Sequence, residues 1–163
     1  MYYYFDKSIN NETVNDLVSK LEDREDINLW FSTSGGQVDS MVFLVNFFNS
    51  IKDKLTITFA SRVSSIGLIL LTDFEGKLEI SQDYDFSIFH KIDCQLDSQR
   101  KCDVNSKVII SYLEKDNIKL LQKFTDKGIL NSEQAKRFEE GEDVVLYRDD
   151  IMKLSMFAKK NQP

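Results

Sequence analysis

Apolar and polar residues alternate along this chain in two rhythms. A helical rhythm runs over 11–22, with Val14, Leu17, Val18 and Leu21 on one face, charges opposite and Asn11 as the expected cap. It returns from about Val38 to Ile51, apolar at Val38, Met41, Val42, Val45, Phe48 and Ile51. Short apolar runs between and after these helices predict strands at 2–5, 27–31, 55–59, 78–80 and 86–89. The stretch from Ser64 to Leu71 reads as helical. A long helix is expected over about 106–124, burying Ile109, Ile110, Leu113, Leu120, Leu121 and Phe124. A charged helix over 131–140 should stop at Gly141, followed by an extended piece at 144–146 and a terminal helix over 149–160. Strands alternating with helices predict an α/β layer fold.

Composition narrows the picture. With 163 residues and 42% hydrophobic content the chain suits a single domain, 1–163, with a core that needs no staples. A net charge of −6, with Lys and Arg scattered, argues against a nucleic-acid partner. Two cysteines, Cys94 and Cys102, and one histidine do not make a closed zinc shell, so neither metal nor cofactor is expected. No secretory signal pattern opens the chain, and its longest apolar run is too short for a bilayer. No membrane partner, reduced thiols and a cytoplasmic location are the expectations.

The candidate chemistry centres on the one histidine, His90. A hydroxyl nucleophile needs a base, and imidazole suits that role at neutral pH. Upstream, the Ser34-Gly35-Gly36 turn lies between a strand and a helix, where free N–H groups favour an anion. Ser65 follows at the start of the next helical stretch, with Ser64 as the neighbour most easily mistaken for it. Read alone, a histidine at the end of an apolar run also fits a buried core residue, and Gly-Gly also fits an ordinary tight turn.

Three segments carry a resemblance. Ile27-Asn28-Leu29-Trp30-Phe31-Ser32-Thr33-Ser34-Gly35-Gly36 is similar to a strand ending in Asn-Ser-Pro-Gly-Gly. Thr58-Phe59-Ala60-Ser61-Arg62-Val63-Ser64-Ser65-Ile66-Gly67 is similar to a nucleophile motif, Gly-Gln-Ala-Ala-Ser-Met-Gly. Phe86-Ser87-Ile88-Phe89-His90 is similar to a strand that carries a histidine. Together they resemble the proteolytic subunit of the caseinolytic (Clp) protease, in the ClpP/crotonase superfamily, from about Tyr3 to Tyr147. No gap is needed from Gly36 to Ser65 or on to His90.

The resemblance implies ClpP/crotonase-type repeated ββα layers, with a protruding handle over about 91–127 that includes the 106–124 helix. It implies a serine endopeptidase acting through an acyl-enzyme, with Ser65 as nucleophile, His90 as base and Asp143 as acid. Gly36 and Ile66 would supply the oxyanion-hole N–H groups. Placing Asp143 needs a small insertion after Thr125, and Glu142 is the substitute if the register slips. Implied partners are a peptide or unfolded-protein substrate, a homo-oligomeric ring based on heptamers, and an AAA+ ATPase unfoldase.

The chain departs from the family at Ser34, where proline is usual, at Ser61-Arg62 in place of Gly-Gln, and at Glu142 in place of arginine. Two rival readings share the fold: an inactive ring scaffold or regulatory subunit, and a crotonase-type acyl-CoA enzyme.

Overall fold

The computed structural model describes residues 1–93 and 104–154. Cys94, Cys102 and the expected terminal helix beyond Leu154 lie outside the described residues. The chain forms two compact units, one of Met1–Phe89 with the segment from Val145 onward, the other of His90–Val144.

The first unit is mixed α/β and is built on a parallel four-stranded sheet. Its strands are β1 (Tyr2–Asp6), β2 (Ile27–Thr33), β3 (Leu55–Val63) and β4 (Lys77–Ile80), lying side by side in chain order. Parallel neighbours need crossovers. These are α1 (Asn11–Leu21), α2 (Val38–Ser50), and a 3-10 turn over Ser65–Ile69 that runs into α3 (Leu70–Asp73). Crossovers of constant hand between strands in sequential order place their helices on one face of a sheet, and α1 and α2 do touch each other.

The register aligns one apolar row, Phe5, Phe31, Phe59 and Ile80, across all four strands. Phe5 stacks on Phe31 at 5.0 Å between ring centroids, and Phe48 of α2 meets Phe31 edge-on. Burial alternates along β2 and β3, as the two-residue strand period requires.

Three details differ from the sequence expectation. Asn10, not Asn11, caps α1: its side chain accepts from the Thr13 N–H while the Thr13 hydroxyl accepts from the Asn10 N–H. The buried face of α2 is Met41, Leu44, Val45 and Phe48, and Val42 is 47% exposed, because the stripe that meets the sheet follows i, i+3, i+4, i+7. Both β2 and β3 also continue past their apolar runs. Phe31 pairs with Phe59 but Thr33 pairs with Val63, so β3 carries extra chain opposite β2 just before Ser65.

A small second sheet pairs β5 (Phe86–Phe89) with β6 (Val144–Tyr147), which is followed by α6 (Arg148–Met152). The second unit holds α4 (Val104–Asp126) and α5 (Ser132–Glu139). Of the α4 side chains expected inside, Phe124 is fully buried. Ile109 is 44% exposed, and Ile110, Leu113, Leu120 and Leu121 are half-buried. Among the described side chains of α4 the other buried one is polar, Asn117.

Candidate active site

Where β2 and β3 fall out of register, side chains take over the lost backbone bonds. The Ser32 hydroxyl reaches the Arg62 carbonyl at 3.2 Å and Ser61 Oγ at 2.9 Å. Both contacts are satisfied when Ser61 donates to Ser32 and Ser32 donates to Arg62. The Arg62 side chain is exposed. Thr33 anchors the next step: its carbonyl accepts from the Ser64 N–H at 3.0 Å, and its hydroxyl accepts from the Gly35 N–H at 3.0 Å.

The Gly35-Gly36 turn is clamped from the other side by Ile9. The Ile9 N–H donates to Gly35 O at 2.9 Å, and the Gln37 N–H donates to Ile9 O at 2.8 Å. In a parallel bridge of this form the N–H of the central residue points away from the partner. That residue is Gly36, which is exposed, and among the described residues its N–H donates to nothing. Both glycines are required. Gly35 has φ +110 and a Cβ there would lie 2.5 Å from Ser65 Cβ; Gly36 has φ +152 and a Cβ there would lie 2.0 Å from Ile9 O.

Ser65 sits directly against this turn. Its φ of +56 is left-handed, a conformation it shares among the described non-glycine residues only with Asp26. Such a backbone costs a side-chain-bearing residue about 1–2 kcal/mol. Ser65 is half-buried, and among the described residues of its unit no hydrogen bond engages its hydroxyl. It opens the 3-10 turn, whose first bond runs from the Gly67 N–H to Ser64 O, and among the described residues the Ile66 N–H, a first-turn donor, has no acceptor. The structure thus brings Ser65 against the Gly35-Gly36 turn, through Gly35, with Ile66 next to it in the chain.

Ser64 has a separate task. It is buried, and its Oγ accepts from the Ile88 N–H of β5 at 3.0 Å. One residue earlier in each strand, the Ser87 hydroxyl donates to the Val63 carbonyl and accepts from the Tyr84 hydroxyl. The residues leading to Ser65 are therefore bonded to the strand that leads to His90. Burial pushes the Tyr84 phenol up to about 12 from its ordinary 10.0, and the Ser87 hydrogen bond opposes only part of that.

A raised acidic pKa in the fold favours the neutral phenol, so this stability is complete below pH 10 and is lost as pH rises through 12. The expected loss is on the order of 2 kcal/mol across that window. Urea denaturation at several pH values should show this alkaline slope in the wild type and a flattened one in Tyr84→Phe.

In the second unit His90 is exposed, and its Nδ1 lies 2.8 Å from the Lys91 carbonyl oxygen. Asn117 binds the next residue at both ends, accepting from the Ile92 N–H at 2.7 Å and donating to Ile92 O at 2.9 Å. Arg137 holds the two candidate acids differently. Its Nε donates to the Glu142 carboxylate at 2.9 Å, and its terminal nitrogen donates to the backbone carbonyl of Asp143 at 3.1 Å. Among the described residues the Asp143 carboxylate is left without an ion pair or hydrogen bond, and it makes none to His90. A cleft of about 450 Å³ lies near these groups, floored by Ile118, Leu121 and Phe138 and rimmed by Lys91, Glu114 and Glu139.

Lys91 and Asn117 escape a sequence reading. Lys91 acts here through its backbone carbonyl, which any residue would supply. Asn117 does leave a trace, as a polar residue inside the apolar stripe of α4. Among the described residues no group of three or more His, Cys, Asp or Glu is arranged to hold a metal ion, and no helix is long and apolar enough to cross a membrane. Neither a protein-family model nor a characterised protein matches the sequence.

Proposed function

We propose that this chain is a ClpP-like serine endopeptidase. The observation that carries the reading is Ser65, held at φ +56 on a strand-to-helix turn and packed against the Gly35-Gly36 turn. Strain of this kind persists where surrounding structure enforces it, and it is characteristic of exposed nucleophiles. Ser65 Oγ attacks the carbonyl carbon of an extended peptide and passes its proton to His90 Nε2. The resulting oxyanion is held by the Gly36 and Ile66 N–H groups. Collapse expels the amine with the proton from His90 and leaves an acyl-enzyme. Water, deprotonated by His90, then releases the acid and restores Ser65. Asp143 is the acid that the resemblance assigns; Arg137 occupies its substitute Glu142, and His90 Nδ1 already has a partner in the Lys91 carbonyl.

The finer architecture belongs to the same proposal: ββα layers, α4 within the handle, and a heptamer-based ring fed by an AAA+ unfoldase. The exposed apolar side chains Val108, Ile109, Tyr112 and Ile118 of α4 support a role in contacts between subunits. A second reading, an inactive ring scaffold, draws support from the missing hydrogen bond between His90 and Asp143.

Intact-mass spectrometry after fluorophosphonate treatment separates the two. A single adduct on the wild type, absent from Ser65→Ala and His90→Ala, is the expected result. A folded wild type that takes no adduct would favour the scaffold.

A further inference from the structure

We infer that Asn117 and the Lys91–Ile92 peptide form a relay that fixes the tautomer of His90, taking over the orienting task usually given to an acid. The relay rests on the reading of His90 as the base for Ser65.

A carbonyl oxygen only accepts, so the 2.8 Å contact from His90 Nδ1 to Lys91 O places the imidazole proton on Nδ1. That leaves Nε2 with a free lone pair, the form in which a histidine takes a proton from a serine. The Lys91 carbonyl in turn is not free to rotate. It belongs to the same planar trans peptide as the Ile92 N–H, so the two point in opposite directions. Asn117 Oδ1 accepts that N–H at 2.7 Å and Asn117 Nδ2 donates to Ile92 O at 2.9 Å. The amide is fixed in this sense, since a carbonyl and an N–H each accept only one of its two ends.

Asn117 is 8% exposed, on a helix face otherwise filled by apolar side chains. A buried amide whose side-chain bonds both go to the backbone of one residue outside any helix or strand holds that peptide plane in place. Asn117 is therefore a positioning residue: it holds the Ile92 N–H, the planar peptide aims Lys91 O at Nδ1, and Nε2 is left basic. Asp143 makes no bond in this chain of contacts.

Because His90 is the only histidine, its ring nitrogens give a single set of signals in long-range proton–nitrogen NMR spectra of the full chain. At a pH where the ring is neutral, the wild type should show the proton on Nδ1, and Asp143→Asn should show the same. Asn117→Leu, which keeps the volume and removes both bonds, should shift the ring toward the Nε2–H form. It should also slow fluorophosphonate labelling of Ser65 roughly fivefold, as the base-competent fraction falls.

A wild type with the proton on Nε2 overturns the inference without need of any variant. A tautomer that changes in Asp143→Asn but not in Asn117→Leu overturns it as well. The spectra are read independently of Ser65 labelling. An Nδ1 proton in a wild type that never labels supports the relay and removes the hydrolase reading alone.

Discussion

Ser65→Gly is expected to make the protein more stable and to remove its activity. Ser65 holds a left-handed φ of +56, which glycine adopts without steric penalty, and the cost released is about 1–2 kcal/mol. Glycine's greater freedom in the unfolded chain takes back part of that gain, leaving about 0.5–1 kcal/mol. Loss of the hydroxyl should lower turnover of a peptide or activated ester by on the order of 10⁴-fold or more, since no other group supplies the attacking oxygen. Chemical denaturation beside steady-state kinetics reads both effects on one preparation. A residue kept for packing alone would show the stability gain with activity intact, and that outcome would refute a nucleophilic Ser65.

Gly36→Ala should act in the opposite sense, on the fold. A Cβ at Gly36 would lie 2.0 Å from the Ile9 carbonyl oxygen and 2.8 Å from both Ile9 C and Ile9 N. These are backbone atoms, so no side-chain rotation relieves the collision. The bridge must open, giving up the Ile9-to-Gly35 and Gln37-to-Ile9 hydrogen bonds, and the expected cost is roughly 3–5 kcal/mol. Gly128→Ala is the control. Its φ of +69 disfavours a side chain, but nothing lies within 4 Å of the new methyl group, and the loss should be about 1 kcal/mol. Unfolding midpoints in urea for the two variants measure the difference.

Much of the first unit was legible because its apolar periods are strong. Ile27, Leu29 and Phe31, then Leu55, Ile57 and Phe59, alternate cleanly enough to mark both central strands. The continuation of β3 through Ala60, Ser61 and Arg62 was not legible. Those residues carry no apolar alternation, and the bonds from Ser32, the Asp85 N–H on the Ser61 carbonyl and the pairing of Thr33 with Val63 keep them extended. On α2, Val42 and Met41 are equally apolar, so composition could not say which of them faces the sheet.

The candidate site divides along the same line. Side-chain identity and chain order marked Ser65, His90 and the two glycines. The bond from Ser64 to Ile88, the Lys91 carbonyl and the left-handed Ser65 backbone are matters of conformation and have no letter in the sequence. Arg137 shows the same limit: its choice of Glu142 over Asp143 depends on where the turn at Gly141 directs each side chain.

The slip between β2 and β3 has an evolutionary meaning. Between Phe31 and Thr33 one strand advances two positions while its neighbour, from Phe59 to Val63, advances four. The number of residues separating the core row from Ser65 is therefore part of the machinery, as much as any side chain. In a pleated strand a single deletion sends every later side chain to the opposite face. The side chains at 60 and 62, half-buried and exposed, make no hydrogen bond among the described residues and should tolerate exchange, whereas Ser61 is tied to Ser32 and the number of residues should not change. Drift here is confined to substitution, and the spacing itself is what inheritance must preserve.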